Sequence, residues 1–148
     1  MKLSAKSRYA LEAMVYLAAC APQQNVCIRQ VSQATGITES YLEQIFFRLR
    51  KAGLLTAVRG AGGGFYPGRP PEEISAGDIV RAMEDESSPV GCVHDPSSCK
   101  NQRAECCQTR GLWVELTEEI YRQLDSQTLA SLKERFLAAQ EQETEAKQ

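Results

Sequence analysis

The change of hydrophobic period within residues 28–66 constrains the fold of this chain more than any other feature. Ile28 and Val31 mark a short helix that Gly36 interrupts, and a longer helix follows. In this second helix the apolar residues recur at helical spacing, so one face belongs to a core. These residues are Leu42, Ile45, Phe46 and Leu49. A short helix, a glycine turn and a longer helix with a polar outer face are typical of helix-turn-helix organisation.

A glycine-rich hairpin follows the second helix directly. Leu55 and Val58 suggest one strand, and Phe65 and Tyr66 a returning strand, on either side of the glycine-rich turn at 60–64. A two-stranded hairpin in this place is a wing. Such glycines also cradle phosphate in nucleotide sites, but no helix follows this loop to supply the N-terminus that those sites use.

Further helices are predicted on both sides of this segment. Residues 4–20 form the first, which carries an apolar stripe at helical spacing. Ser75 and Asp78 form a capping box at the start of a short helix in "SAGDIVRAMED". Beyond a loop, residues 110–124 form a long helix, and a last helix runs from around Thr128 to Gln140. The apolar stripe of the long helix, at four-residue steps, consists of Leu112, Leu116, Ile120 and Leu124.

The long apolar stripe has two interpretations. It packs on the winged domain of its own chain, or it pairs with the same helix of a second copy. The helix comes late, lies beyond a loop and is apolar over a wide face, and helix-turn-helix proteins usually bind as two-fold dimers. We therefore favour dimerisation.

The distribution of charge predicts that the first half of the chain meets a polyanion. Residues 1–70 contain nine Lys or Arg and three Asp or Glu, whereas residues 71–148 contain eight and sixteen. A basic half beside an acidic half favours nucleic-acid binding by the first, the alternative being chance segregation on a solvated surface. In helix-turn-helix proteins the N-terminal residues of the second helix reach base edges in the major groove. Here those residues are Ser40, Tyr41, Glu43 and Gln44.

The polar side chains of the second helix and the wing have defined pairing chemistry. Gln44 can pair bidentately with adenine, and Glu43 can accept from cytosine N4. Ser40 and Glu43 can equally form a capping box at the helix start, and their spacing does not decide between the two roles. Arg59 at the wing tip suits a minor groove, or is an exposed solubilising charge. The basic residues expected on phosphate, or on nothing specific, are Arg48, Arg50 and Lys51.

Four of the six cysteines and the only histidine lie within residues 92–107. No apolar stretch is long enough for a membrane span, so we expect a cytoplasmic protein, where thiols stay reduced. Clustered thiols then indicate metal or redox chemistry, and soft thiolates suit zinc or an iron–sulfur cluster. The spacing matches neither the pairs of zinc ribbons nor plant-type ferredoxins. Cys20 and Cys27, outside the cluster, are expected to be small buried hydrophobes.

Four segments of the chain resemble the IscR-type iron–sulfur regulators, which belong to a broad bacterial family of winged-helix repressors and activators. The segments are "KSRYALEAMVYLA", "GITESYLEQIFFRLRKAGLLTAVRGAGGGF", "ISAGDIVRAMED" and the cysteine loop ending in "CQTRGLW". The resemblance implies a dimer that binds DNA through the winged helix. In members with three loop cysteines it also implies an iron–sulfur cluster.

The same resemblance implies that Cys92, Cys99 and Cys107 hold the cluster. In the family the third cysteine precedes the tryptophan by six positions; here Trp113 selects Cys107 and leaves Cys106 as an extra. Members of this type often place a histidine ligand three residues after the last cysteine, but that position is Arg110, which has no lone pair to give. Candidates for the fourth ligand are His94, Cys106, a carboxylate such as Asp95 or Glu105, and a residue of a partner subunit.

The predicted protein is mainly α with a small β wing. It has a winged helix-turn-helix domain at 1–86, a cluster-binding loop at 87–110, dimerisation helices at 111–140 and a flexible tail at 141–148. The expected function is a homodimeric transcription regulator that binds a pseudo-palindromic operator in double-stranded DNA. A cluster, expected as 2Fe–2S, modulates this binding, and genes for iron–sulfur cluster biogenesis are the expected targets.

Two alternatives to this function remain. A regulator of the same fold senses nitric oxide, thiols or zinc through the cysteine loop, or the chain is an electron-transfer iron–sulfur protein. A carrier has no use for a basic winged half, and salt-dependent DNA binding separates the two classes. An enzyme is not expected, because the chain lacks a substrate-type constellation and has a single histidine.

Overall fold

The computed structural model describes residues 3–21, 24–85, 88–100 and 107–147. The helices and strands in these ranges are α1 (Ala5–Cys20), α2 (Ile28–Thr35), α3 (Glu39–Lys51), β1 (Leu55–Val58), β2 (Gly64–Pro67), α4 (Ala76–Met83), α5 (Arg110–Asp125) and α6 (Leu129–Ala146). Short 3-10 turns cover Pro71–Glu73, Gly91–Val93 and Pro96–Ser98. The predicted class, mainly helical with a small β wing, is confirmed. Among the described residues, no helix combines the length and apolarity needed to cross a membrane.

Helix α1 is the centre of the core. It contacts α2, α3, α4 and α6 and strand β2. Its inner face consists of Ala10, Ala13, Met14 and Leu17, all of which are fully buried. The stripe that helical spacing predicts is therefore the one that packs inside, and the remaining elements are arranged around it.

Helices α2 and α3 form the helix-turn-helix unit. Gly36 ends α2, Ile37 is buried in the turn, and α3 follows. Thr38 is the N-cap of α3, and its hydroxyl accepts a hydrogen bond from the backbone N–H of Tyr41 at 3.4 Å. The predicted apolar face of α3 is buried in full: Leu42, Ile45, Phe46 and Leu49.

The wing is held against the helix-turn-helix unit by backbone and ring contacts. β1 and β2 pair antiparallel, and the Val26 and Phe65 backbones exchange hydrogen bonds of 3.1 and 2.8 Å. A Cβ at Gly64 would lie 2.7 Å from the Val26 backbone, so only glycine permits this approach. The rings of Phe46 and Phe65 lie 4.7 Å apart. The wing therefore keeps a fixed place beside α3.

The chain returns to the core at the start of α6. The N–H of Ala76 donates to the carbonyl of Gln127 at 2.8 Å, and the N–H of Leu129 donates to that of Ile74 at 2.7 Å. Leu129 is fully buried, and α6 packs along α1. The helix continues to Ala146, beyond the predicted end at Gln140 and through most of the segment expected as a tail.

Helix α5 leaves part of its apolar stripe uncovered. Leu112 is 57% exposed and Leu116 is 41% exposed, whereas Ile120 and Leu124 are half-buried. α5 contacts α4, where the guanidinium of Arg81 lies 4.4 Å from the centre of the Tyr121 ring. The winged domain of the same chain therefore does not cover the N-terminal half of the stripe.

Candidate DNA-binding surface and cysteine loop

The outer face of α3 presents three of the four predicted base-contact residues to solvent. Ser40, Glu43 and Gln44 are exposed and lie one turn apart on one side of the helix. Tyr41 is half-buried, and its ring meets that of Tyr9 edge-on at 5.4 Å. Tyr41 thus packs α3 against α1, while the other three side chains stay accessible.

The capping role considered for Ser40 and Glu43 is not the one that the helix uses. Because Thr38 is the N-cap, Ser40 is already the second residue of the helix and cannot cap it. The Thr38 hydroxyl takes up the backbone N–H of Tyr41 instead. Both Ser40 and Glu43 are therefore left on the surface, as a base-contacting role needs.

Arg48 makes its contacts within the protein rather than pointing outward. Its guanidinium donates to the carbonyl oxygen of Met83 at 2.7 Å and lies 3.4 Å from Asp85 Oδ1. These bonds tie α3 to the end of α4, and the phosphate contact predicted for Arg48 stays a prediction. The other basic side chains of this surface are exposed: Arg50, Lys51 and, in the turn of the wing, Arg59.

A carboxylate fixes the start of α1 beside this surface. Glu84 Oε1 accepts from the backbone N–H of Ser4 at 2.9 Å, from the Ser4 hydroxyl at 2.6 Å and from the Ser7 hydroxyl. Partial burial alone would raise the pKa of Glu84, but these hydrogen bonds and the charge of Lys6 outweigh it and lower the pKa below its usual value. Lys6 lines the same open groove as Gln44.

Phe47 belongs to this surface, and the sequence reasoning missed it. The side chain is 68% exposed, although its neighbour Phe46 is buried in the core. Phe47 lies seven residues after Ser40 and three after Gln44, so helical spacing alone places it on the face that is predicted to contact bases. Helical spacing could therefore have identified Phe47. It was missed because only polar residues of this face were expected to contact bases.

The cysteine loop is built from two adjoining 3-10 turns. Cys92 lies in the turn Gly91–Val93 and Cys99 directly follows the turn Pro96–Ser98; both thiols are half-buried. Asp95 Oδ1 accepts from the Ser97 N–H at 2.9 Å and from its hydroxyl at 2.6 Å. These hydrogen bonds lower the pKa of Asp95, so its carboxylate already has local partners.

Arg110 joins the loop to α5 from the position where the resemblance leads one to expect histidine. Its Nε donates to the carbonyl oxygen of Cys92 at 3.2 Å, and its Nη2 donates to that of Val93 at 3.3 Å. Arg110 is also the first residue of α5. The arginine thus fastens the beginning of the cysteine loop to the helix that follows its end.

Cys107 is exposed just before α5, and its surroundings favour the thiolate. Its Sγ lies 3.4 Å from Thr109 Oγ1. The Thr109 hydroxyl, the backbone N–H groups of Thr109 and Arg110, and the charge of Arg110 lower the pKa of Cys107. The thiolate is the form that acts as a nucleophile and binds metal.

The described residues of the loop suit a metal cluster by their chemistry, although their side chains are not brought together into a site. In the ranges that the structure describes, no three Cys, His, Asp or Glu side chains form a group that could hold a metal ion. Cys106 and Glu105, two candidates for the fourth ligand, lie outside those ranges. Three thiols on one anchored loop, one with a lowered pKa, are a suitable donor set.

Of the two remaining cysteines, which we expected to be small buried hydrophobes, Cys20 follows the expectation in part and Cys27 does not. Cys20 is half-buried at the end of α1 and packs against the core, whereas Cys27 is exposed. The reason for Cys27 is its position as the N-cap of α2, where its backbone N–H donates to Gln30 Oε1 at 3.0 Å. A helix start at the surface leaves the capping side chain accessible.

Comparison with known proteins decides the family. The sequence model of Rrf2, described as an iron-dependent transcriptional regulator, matches residues 3–135. The chain belongs to the Rrf2 family.

Curated relatives of this Rrf2 chain cover nearly the same residues. It is 38% identical to protein rrf2 of Nitratidesulfovibrio vulgaris over 89% of this chain and 87% of the relative. It is 40% identical to the regulator IscR of Aliivibrio salmonicida over 89% and 77% of the two chains. It is 37% identical to the regulator CymR of Bacillus subtilis over 89% of each.

Solved Rrf2-type structures share the fold. The structure of CymR, the global cysteine regulator of B. subtilis, is 36% identical with a TM-score of 0.74, over 91% of this chain and 98% of that one. IscR of T. potens is 33% identical with a TM-score of 0.76, over 95% and 91%. The chain is therefore a DNA-binding transcriptional regulator of the Rrf2 family. Both IscR and CymR are among its relatives.

Proposed function

We propose that this Rrf2-family regulator is a homodimer whose DNA affinity responds to an iron–sulfur cluster, of the 2Fe–2S type, on the cysteine loop. The ligands are Cys92, Cys99 and Cys107. The observation that carries the proposal is the pair of hydrogen bonds from Arg110 to the loop, which connect the ligand-bearing segment to the first turn of α5. When bound, such a cluster supplies a redox-active and labile centre, and genes of cluster biogenesis are the proposed targets.

The described residues narrow the choice of a fourth ligand. Asp95 already accepts two hydrogen bonds from Ser97, and Arg110 is excluded by its chemistry. His94 is exposed beside Cys92, without a hydrogen bond from its side chain in the described part of the chain. His94 and Cys106 are therefore the two local candidates to test first.

A continuous series of contacts could transmit a conformational change from the cysteine loop to α3. Arg110 links the loop to α5, and the Arg81–Asp125 pair, with two bonds of 2.7 Å, links α5 to α4. Arg48 then links the end of α4 to α3 through Met83. A displacement of α5 on loss of the cluster would thus reach the DNA-binding helix through rigid elements. These contacts support coupling between the cluster and the DNA-binding helix, and DNA-binding measurements on the cluster-loaded and cluster-free protein decide it.

Anaerobic purification tests the cluster directly. The wild-type protein is expected to contain iron and acid-labile sulfide with a visible absorption spectrum, and Cys92→Ala, Cys99→Ala and Cys107→Ala are each expected to lose all three. Cys27→Ala is the matched control, because Cys27 is exposed but lies outside the loop. DNA affinity of the loaded and stripped protein, measured at several salt concentrations, is expected to differ. Stoichiometric zinc without sulfide would overturn the cluster.

Thiol sensing on the same fold is the second candidate. The exposed Cys107 with its lowered pKa favours it, since such thiols oxidise first. In that case an oxidant changes the DNA affinity of iron-free protein, and Cys107→Ala abolishes the change. A response to nitric oxide or zinc is tested in the same way, by comparing how each changes the DNA affinity of the wild type and of Cys107→Ala.

A further inference from the structure

Phe47 is an apolar side chain in the middle of a polar, DNA-facing surface. It is the most exposed of the large hydrophobic residues that the structure describes, at 68%. Single exposed apolar residues are common and need no explanation by themselves. The position of this one is specific, because seven residues along a helix return to within about 20° of the same direction, which aligns Phe47 with Ser40.

The surroundings of the Phe47 ring carry more cations than carboxylates. On one side Phe47 borders a groove lined by Lys6, Arg48 and Lys51 and by two carboxylates, of Glu43 and Asp85, of which Asp85 lies beside Arg48. Arg50 and Lys51 line the depression on its other side, together with Thr56 of the wing. A protein partner matched to Phe47 would have to bury these cations as well, whereas a nucleic acid places phosphates against them. The charge pattern therefore favours DNA as the occupant of this patch.

We infer that Phe47 contacts the 5-methyl group of a thymine in the major groove and thereby determines sequence specificity. This inference rests on the proposed DNA contact of the outer face of α3. The thymine methyl is the apolar group on the base edges of the major groove, and phenylalanine is among the side chains that contact it. Phe47 has no donor or acceptor with which to read another base. It lies one turn after Gln44, so the thymine is expected beside the base that Gln44 contacts.

Replacing thymine by uracil removes the methyl group and nothing else, which gives a direct test. Duplexes with the highest affinity are first selected from a pool of random sequences with the wild-type protein. Each thymine of the selected site is then replaced singly by uracil. At one thymine in each half-site the wild type is expected to lose about fourfold in affinity, the equivalent of one buried methyl group. Phe47→Ala is expected to bind the thymine and uracil duplexes equally.

Two variants serve as controls. Gln44→Ala is expected to keep the thymine–uracil difference at that position while losing discrimination at its own base. Leu137→Ala removes another exposed apolar side chain, on α6, and is expected to change neither. Because Phe47 is mostly exposed, Phe47→Ala leaves no cavity, and an unchanged helical circular dichroism spectrum verifies its fold.

The outcomes separate this inference from the function on which it rests. If the wild type enriches no sequence over random DNA, specific DNA contact by α3 fails and the role of Phe47 falls with it. If a site is enriched but Phe47→Ala retains the full thymine–uracil difference at every position, Phe47 does not read a methyl group. Equal weakening of Phe47→Ala on the selected site and on random DNA would likewise overturn the inference.

Discussion

Glu84 shows how one carboxylate determines the edge of the candidate DNA-binding surface. Its bonds to Ser4 and Ser7 hold the first turn of α1, and with it Lys6, beside α3. The bonded form is the ionised form, which is why its pKa lies below the usual value despite partial burial. A neutral amide in its place keeps the size of the side chain and weakens these bonds.

We therefore expect Glu84→Gln to lower the free energy of unfolding at pH 7 by about 1–2 kcal/mol. A lowered folded-state pKa means that the stabilisation is complete above the unfolded-state pKa and is lost as the pH falls through the folded-state pKa. Urea unfolding at pH 7 and at a series of acidic pH values should show the wild type and the variant converging on acidification. Glu72→Gln, at an exposed carboxylate away from this cluster, is the control and should parallel the wild type. A constant gap at all pH values would contradict the assignment.

At the residue scale the sequence predicted which side chains are exposed better than it predicted their hydrogen-bond partners. The exposure of Ser40, Glu43 and Gln44 followed from helical spacing alone. The cap did not, because Thr38 and Ser40 are both good capping residues two positions apart and packing selects between them. The Met83 carbonyl that holds Arg48 lies 35 residues along the chain, beyond the reach of local patterns.

At the scale of elements, the junction between α4 and α5 depends on a glycine inside a helix. A Cβ at Gly77 would lie 1.8 Å from Asp125 Oδ1, far inside van der Waals contact. The carboxylate therefore occupies the space above Gly77, where it receives the guanidinium of Arg81 and lies 3.4 Å from the Ser75 hydroxyl. The missing side chain is what allows α5 to end against α4.

The substitution Gly77→Ala tests whether the Asp125 carboxylate occupies the space above Gly77. In an exposed helix Gly→Ala stabilises by about 1 kcal/mol, but here the methyl group displaces the Asp125 carboxylate and breaks its partly exposed pair with Arg81, so we expect this gain to be lost and Gly77→Ala to destabilise by up to about 1 kcal/mol. In an Asp125→Ala background the obstacle is gone, and the same substitution should become neutral or stabilising. Urea unfolding of the four proteins measures the coupling. Additive effects would show that the two residues do not compete for this space.

Elements were the scale at which prediction from sequence succeeded most fully. Periodicity identified the helices and the hairpin, and the capping box at Ser75 and Asp78 is present, with bonds of 3.0 Å in both directions. What periodicity left out was how elements meet. The β-bridge between Ser75 and Thr128 joins residues far apart in sequence, and no local sequence pattern at either residue predicts this pairing.

At the scale of the whole molecule, the exposed part of the α5 stripe supports pairing with a second copy. Leu116→Asp places a charge in that exposed part, where desolvation without a partner is expensive. We expect this variant to be monomeric by light scattering, to keep its helical circular dichroism and to lose affinity for two-half-site DNA. Glu118→Lys, exposed on another face of α5, should stay dimeric. A dimeric Leu116→Asp protein would place the interface elsewhere.

The hydrogen bonds that join Ala76 to Gln127 and Ile74 to Leu129 have a consequence for how such regulators diversify. With the Arg81–Asp125 pair, these bonds bring the end of α5 and the start of α6 back to α4, so the segment between α4 and Asp125 starts and ends at the same helix and behaves as an insertion into the DNA-binding unit. Lengthening a loop whose ends are held together costs only about 0.6 kcal/mol for each doubling. Descendants of one ancestor can therefore exchange the chemistry of this insertion while inheriting the DNA-binding unit unchanged.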